Sequence, residues 1–172
     1  MSQPRIISGK AKGIRIKDVP GDITRPVTDR VKEALFNIFS VDIVDSTFLD
    51  LFGGTGSIGI EALSRGARSC TFIDLHSHAI NTIKTNLLLT KLESNATVHQ
   101  MDAFRFLTSP QSKNFDYIYI APPQYKQMWN KALELVDQNM EILSEDGWLN
   151  CLVEIDRREY GSTMLLFYSR KE

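Results

Sequence analysis

The segment at residues 50–59, Asp-Leu-Phe-Gly-Gly-Thr-Gly-Ser-Ile-Gly, constrains the fold of this chain more than any other stretch. It follows an apolar run and precedes an amphipathic one, which predicts a strand, a tight loop and a helix. Glycines permit positive φ and let a ligand approach the backbone, and a helix start offers unpaired N–H groups. No Gly-Lys-Ser/Thr follows, and the dinucleotide fingerprint is incomplete. The segment indicates either a ligand loop or a plain turn between strand and helix.

Alternating strands and helices extend over most of the sequence. Apolar strands are predicted at residues 47–52, 69–73, 96–100 and 115–120. Helices are predicted from residue 28 or 29 to 39, and at 57–64, 77–89, 103–107 and 126–143. This order predicts an α/β fold in which helices cover both faces of a mostly parallel sheet. At 172 residues the chain fits one domain.

Acidic residues or prolines follow four of these strands: Asp50, Asp74, Asp102 and Pro122-Pro123. Ligands bind at the carboxyl ends of parallel strands, and Asp74 has the offset from Asp50 at which an acid accepts from a ribose. Asp102 can accept from an adenine amine while the Ala103 backbone donates. A cationic amino-acid group suits Asp50. The set predicts S-adenosyl-L-methionine as cofactor, although each aspartate alone fits a loop or cap role equally well.

The N-terminal end is basic although the net charge of the chain is -1. The first 35 residues hold eight basic and four acidic side chains. Two short strands at 5–7 and 14–17 around a Gly9–Gly13 turn predict a hairpin, so residues 1–22 form an extension before the main domain at 23–172. A basic patch of this kind favours a polyanion. A solvated charged surface explains it equally well.

Composition also bears on redox chemistry, metals and membranes. Cys70 and Cys151 lie in apolar stretches, which is typical of buried core residues rather than of a disulfide or a metal site. The three histidines lack ligand spacing, so no metal is expected. No apolar run reaches membrane-spanning length, and the N-terminus lacks a signal-peptide core. We therefore expect a soluble, cytoplasmic, monomeric protein with no membrane partner.

Several motifs together resemble one family. They are Arg5-Ile-Ile-Ser-Gly-Lys10, Thr24-Arg-Pro-Val-Thr-Asp-Arg30 with Glu33-Ala-Leu-Phe-Asn37, the loop at 50–59, and Glu61-Ala-Leu-Ser-Arg-Gly-Ala67. The sequence resembles the bacterial 16S ribosomal RNA guanine-N2 methyltransferases, which are Rossmann-like and S-adenosylmethionine-dependent. The similarity extends from Arg5 to Tyr168.

The resemblance implies methyl transfer to the exocyclic amine (N2) of a guanine in the 16S rRNA of the small ribosomal subunit. It implies that the hairpin binds RNA through Arg5, Lys10, Lys12 and Arg15. It also implies a cofactor site built from Asp50, Phe52, Gly53, Gly54, Gly56, Asp74, Asp102 and Ala103. Thr28 and Arg30 would help to close the cofactor pocket.

The motif after the fourth predicted strand departs from the family. The family has Asp/Asn-Pro-Pro-Tyr/Phe, whereas this chain has Ala121-Pro-Pro-Gln124. In the family the first side chain and a prolyl carbonyl accept from the target amine, and the aromatic ring stacks on the flipped base. Ala121 cannot accept through its side chain. The catalytic set here would be the carbonyls of Pro122 and Pro123, with Tyr125 as the stacking ring.

The C-terminal part also departs from the family. About a dozen residues, equal to one strand and its connection, are expected to be missing after Gly147. The sheet would then be one strand short, or residues 149–154 would replace the lost strand. Both departures favour an alternative function, an inactive methyltransferase-fold protein that binds RNA or assists assembly. An amine methyltransferase acting on another nucleic acid or a protein is a third possibility.

Overall fold

The computed structural model describes residues 4–21, 27–109, 114–122, 126–148, 153–160 and 163–169. The helices are α1 (Asp29–Phe39), α2 (Ser57–Ser64), α3 (Ser77–Thr90), α4 (Ala103–Thr108) and α5 (Lys126–Gln138). The strands are β1 (Thr47–Asp50), β2 (Ser69–Asp74), β3 (Ala96–Gln100), β4 (Phe115–Tyr119), β5 (Leu143–Trp148), β6 (Val153–Tyr160) and β7 (Thr163–Ser169). The predicted α/β order is confirmed, with each predicted end between β1 and β4 within two residues.

The first five strands form a parallel sheet in the order β3-β2-β1-β4-β5. The order reverses between β1 and β4, so their carboxyl ends lie side by side, with Asp50 opposite Tyr119. A crevice opens at such a reversal, and open α/β sheets bind their ligands there. None of the helices in the described ranges combines the length and the apolar character needed to cross a membrane.

Alternate residues of β1 and β2 are buried on opposite faces of the sheet. Phe48 and Phe72 pack on one face with α1, α2 and α3, whereas Leu49 and Ile73 pack on the other with α4 and α5. This is the two-residue period of a strand covered on both sides. Cys70 is buried in the first of these cores, as predicted, while Cys151 lies outside the described residues.

The N-terminal hairpin is less regular than predicted. Backbone hydrogen bonds join Ile6 to Ile14 and Gly13, and Ile16 to Pro4, but the two arms form only one β-bridge, between Arg5 and Arg15. The predicted strands at 5–7 and 14–17 are therefore wrong as extended elements. A two-stranded hairpin is marginal by itself; here Ile6 and Ile16 are buried in the core with α1 and α2.

One expectation about the C-terminal part is wrong. Helix α5 ends at Gln138 rather than at residue 143, because Asn139 leaves helical geometry and its side-chain amide donates to the Leu135 carbonyl at 2.8 Å. Leu143 then begins β5. Among the described residues three strands follow α5: β5 belongs to the parallel sheet, whereas β6 and β7 pair antiparallel as a separate two-stranded sheet, with contacts between β7 and β5. The strand expected to be missing near the C-terminus stays a prediction. Residues 149–152 lie outside the described part.

Candidate cofactor and substrate site

The glycine loop after β1 adopts the backbone geometry that its sequence predicts. Gly54 and Gly56 have φ of 53° and 77°, in the left-handed region that glycine tolerates best. The Gly53 N–H donates to Ile73 O at 2.8 Å, and the Gly56 N–H to Gly53 O at 2.7 Å. A Cβ atom added to Gly54 would meet no atom of the described residues closer than Phe52 O at 4.0 Å. The backbone at Gly54 therefore faces open space, where a ligand can approach it.

Asp50 lies beneath this loop. Its side chain is buried, and Oδ2 accepts from the Gly59 N–H of α2 at 3.2 Å. Burial raises the pKa of Asp50 to about 7, the Asp74 charge adds to this, and the Gly59 hydrogen bond opposes it. The carboxyl group thus fastens the start of α2 to the end of β1. It lies in the predicted region, and a ligand role would come in addition to this structural one.

Asp74 connects the end of β2 to the same loop. Oδ2 accepts from the Gly54 N–H and Oδ1 from the His76 N–H, each at 2.9 Å. A carboxylate has about four acceptor positions, so each oxygen can accept a further hydrogen bond. Asp74, the predicted ribose acceptor, therefore contacts the glycine loop, and its carboxylate can accept further hydrogen bonds from a ligand.

Asp102 and Ala103 begin α4, next to the end of β3. Oδ1 of Asp102 caps the helix by accepting from the Arg105 N–H at 2.9 Å. Phe104 makes an edge contact with Phe52 of the glycine loop, with ring centroids 6.4 Å apart. Phe52 is half-buried. The structure thus brings the predicted adenine-side residues to the same edge of the sheet as the loop.

A threonine side chain caps the start of α1. Thr28 is the N-cap, and its Oγ1 accepts from the Val31 N–H at 3.4 Å. Arg30 lies in the first turn and is exposed. The preceding part of the motif, residues 24–26, lies outside the described residues. Closure of the cofactor pocket by Thr28 and Arg30 stays a prediction.

The segment after β4 lies beside the glycine loop. The Leu51 N–H donates to Tyr119 O at 3.1 Å, which joins the two carboxyl ends. Ala121 is exposed and Pro122 half-buried. Pro123, Gln124 and Tyr125 lie outside the described residues. Ala121 and Pro122 therefore border the crevice, where their backbone carbonyl groups are hydrogen-bond acceptors.

The four predicted RNA-binding residues of the hairpin, Arg5, Lys10, Lys12 and Arg15, are all exposed. Arg5 Nε forms an ion pair with Asp29 Oδ2 at 2.8 Å. The hairpin thus directs its isoleucines into the core and its basic groups outward.

A buried ion cluster, which sequence reasoning missed, fixes the hairpin to α1 and α2. Glu61 is fully buried, and its carboxylate accepts from the backbone N–H groups of Ile7 at 2.9 Å and Ser8 at 3.0 Å. Lys32 Nζ lies 3.5 Å from Oε2, and Arg65 Nε 2.9 Å from Oε1. Burial lowers the pKa of Lys32, and the Glu61 charge opposes this. The signal in the sequence is a carboxylate inside a helix whose other residues are buried.

Asn86 of α3 is a second residue that the sequence pattern did not reveal. It is fully buried, and Nδ2 donates to Thr55 O at 2.9 Å and Lys17 O at 3.0 Å, while Oδ1 accepts from the Lys17 N–H at 2.8 Å. One amide therefore joins the glycine loop to the chain that leaves the hairpin.

We expect the free energy of unfolding of the cofactor-free protein to depend on pH through the buried Asp50 carboxyl group. Its folded-state pKa of about 7 exceeds that of an unfolded aspartate, so the native state binds more protons between about pH 4 and 7. The free energy of unfolding should fall as pH rises through this window and stay low above it. Asp50→Asn should remove that slope and stabilise the protein at pH 8 by up to about 4 kcal/mol.

Urea unfolding at pH 5 and pH 8 measures this difference. Asp18→Asn, a substitution at an exposed position, is the matched control and should leave the slope unchanged. Parallel pH profiles for wild type and Asp50→Asn would contradict the assignment.

Comparison with known proteins adds independent information. The family described as Conserved hypothetical protein 95 matches residues 4–169. The chain is 41% identical over 155 residues to a Bacillus subtilis protein provisionally named as the rRNA methyltransferase YlbH, covering 89% of this chain and 83% of that protein. It is 36% identical to the Haemophilus influenzae Ribosomal RNA small subunit methyltransferase D, covering 88% and 77%. A solved Escherichia coli structure, provisionally named a methyltransferase, matches with a TM-score of 0.83 and 29% identity over 99% of both chains.

Proposed function

The chain belongs to the Conserved hypothetical protein 95 family and is related to the proteins named Ribosomal RNA small subunit methyltransferase D, and from this premise we propose that it methylates ribosomal RNA with S-adenosyl-L-methionine. The observation that carries the proposal is the glycine loop at the strand-order reversal, bordered by Asp50, Asp74 and Asp102. More specifically, we propose that the product is an N2-methylated guanine in 16S rRNA. The enzyme would be a cytoplasmic monomer that acts on the small ribosomal subunit.

The described residues fit this cofactor. The backbone at Gly54 faces open space, and Ser57 Oγ at the start of α2 is buried without a hydrogen-bond partner among the described residues. A buried hydroxyl without a partner is unusual, and a polar ligand group would satisfy it. Asp74 would hold the ribose hydroxyls, and Asp102 with the Ala103 N–H the adenine. Asp50 and the glycines would surround the amino-acid portion.

S-adenosylmethionine supplies a methyl group on a sulfonium. The protein's contribution is to hold the target amine in line with that methyl group, so the chemistry depends on positioning. The Pro122 carbonyl would accept from the amine and orient the nitrogen lone pair. Pro123 would provide a second acceptor and Tyr125 a stacking surface for the flipped base. The exposed basic hairpin would hold the RNA backbone, whose phosphates dominate affinity.

Methyl transfer is tested with tritiated cofactor and small ribosomal subunits from cells that lack the endogenous modification. We expect label in 16S rRNA and, after nuclease digestion, in N2-methylguanosine. Binding of S-adenosylhomocysteine without any transfer to RNA would overturn the enzymatic proposal.

The altered motif gives a more specific prediction. Ala121→Asp combined with Gln124→Tyr restores a side-chain acceptor and an aromatic ring, so we expect the rate of methyl transfer to rise about tenfold or more. Single-turnover transfer to subunits measures it, with each single substitution as a control. A fall in rate would show that the natural motif is itself adapted to the substrate.

The second candidate function is a non-catalytic RNA-binding or assembly protein on the same fold. Ala121, exposed and without a side-chain acceptor at the crevice edge, is the observation that favours it. Such a protein would bind subunits while showing no transfer, and the double substitution would create activity where none exists.

A further inference from the structure

A polar cavity of about 380 Å³ lies between the hairpin, α1 and α2. Its α1 wall is formed by Asp29, Glu33 and Asn37, which lie four residues apart on one face of the helix. The hairpin and the end of α2 contribute the basic groups Arg5, Lys12 and Arg65 to its lining. Its volume is in the range of ligand-binding pockets, roughly 300–1,000 Å³. None of the described residues at the carboxyl ends of the strands lines it, so it is separate from the part of the cofactor crevice that they form.

Some of the side chains that line the cavity already form ion pairs with other protein groups, and others do not. Arg5 is paired with Asp29, and Arg65 with Glu61, while the Arg65 guanidinium also lies 4.8 Å from the centre of the Phe36 ring. The side chains of Glu33, Asn37 and Lys12 make no hydrogen bond or ion pair with any residue in the described ranges. The cavity therefore presents a carboxylate and an amide on one side and an ammonium on the other, beside two fixed guanidinium groups.

This arrangement matches one nucleobase better than the others. Guanine offers two adjacent donors, N1–H and N2–H, to a single carboxylate, and its O6 and N7 accept from guanidinium or ammonium groups. The Glu33 carboxylate would accept hydrogen bonds from N1–H and N2–H, and an arginine would donate to O6 and N7. Lys12 would then lie toward the phosphate. Adenine, cytosine and uracil leave the Glu33 carboxylate with at most one donor.

We propose that this cavity binds an unpaired guanine nucleotide of the RNA substrate, distinct from the base that is methylated. RNA-binding proteins read single-stranded bases in this way, by hydrogen bonds to their edges and by stacking on arginine planes. That the occupant belongs to RNA rests on the proposed function, whereas the preference for guanine rests on the cavity alone. The subsite would fix the register of the RNA relative to the crevice.

The test is titration of the protein, saturated with S-adenosylhomocysteine, with the four ribonucleoside monophosphates, followed by backbone amide NMR shifts. GMP should bind at least about tenfold more tightly than AMP, CMP or UMP and shift the amides of Ile7, Ser8 and α1. Glu33→Gln should weaken GMP about tenfold and abolish this preference. Glu93→Gln, an exposed acid in the turn before β3, is the matched control and should change nothing.

Equal binding of all four nucleotides, or unchanged GMP affinity in Glu33→Gln, would overturn the proposal. Both variants alter exposed side chains, and unchanged melting temperatures would show that folding is intact. If GMP binds as expected but wild-type protein transfers no methyl group to RNA, the function proposed above fails while the guanine subsite stands. If transfer occurs without selective GMP binding, the subsite alone fails.

Discussion

Replacement of Glu61 by alanine is expected to lower the free energy of unfolding by about 3–5 kcal/mol. The substitution leaves the buried Lys32 ammonium without its counter-charge and removes the acceptor for the Ile7 and Ser8 N–H groups. Breaking a buried pair from one side is costly because the remaining charge stays desolvated. The hairpin should loosen first, since both N–H groups belong to it.

Urea unfolding gives the change in free energy, and native-state hydrogen exchange locates it. Glu134→Ala on the exposed face of α5 is the matched control and should change stability by less than about 0.5 kcal/mol. The double substitution Lys32→Met with Glu61→Leu removes both charges and should recover the part of the loss that comes from the unpaired Lys32 ammonium, whereas the Ile7 and Ser8 N–H groups still lack their acceptor. A loss in Glu61→Ala no larger than in Glu134→Ala would contradict the role of the cluster.

The same cluster shows where sequence reasoning was incomplete. The order of strands and helices, and the aspartates at the strand ends, follow from local periodicity and could be predicted. Glu61 and Asn86 could not be assigned, because partners such as Ile7, Lys17 and Thr55 lie 54, 69 and 31 residues away in the chain. Both are polar residues on buried helix positions, and a buried polar group must find a partner. That rule indicates that a partner exists but not which one.

Asp50 and Asp74 illustrate a second limit on what the sequence could predict. Periodicity placed Asp50 and Asp74 at the crevice, and the resemblance gave them ligand roles. In the structure their carboxylates accept from backbone N–H groups of the glycine loop and α2, which a tight loop leaves without backbone partners. Strand-end position alone could not separate fastening the loop from contacting the cofactor. Asp74 has acceptor capacity for both.

Valine at position 54 is expected to weaken cofactor binding by at least about 100-fold, or about 2.8 kcal/mol. The new side chain would start in the space that the proposed cofactor enters beside the loop, and its Cβ meets no atom of the described residues closer than Phe52 O at 4.0 Å. The loss should therefore come from exclusion of the ligand. Calorimetric titration with S-adenosylhomocysteine measures it.

Backbone strain is the competing explanation, because φ of 53° is unfavourable for a β-branched residue. Gly13→Val separates the two effects: Gly13 has φ of 85°, and a side chain there also meets no atom within 4 Å, but it lies in the hairpin turn. Both variants should lose similar stability, and only Gly54→Val should lose cofactor affinity. Micromolar binding retained in Gly54→Val would mean that the cofactor does not pass over this glycine. Equal loss in both variants would mean that strain, transmitted through the hairpin contacts of α2 and Asn86, controls the loop.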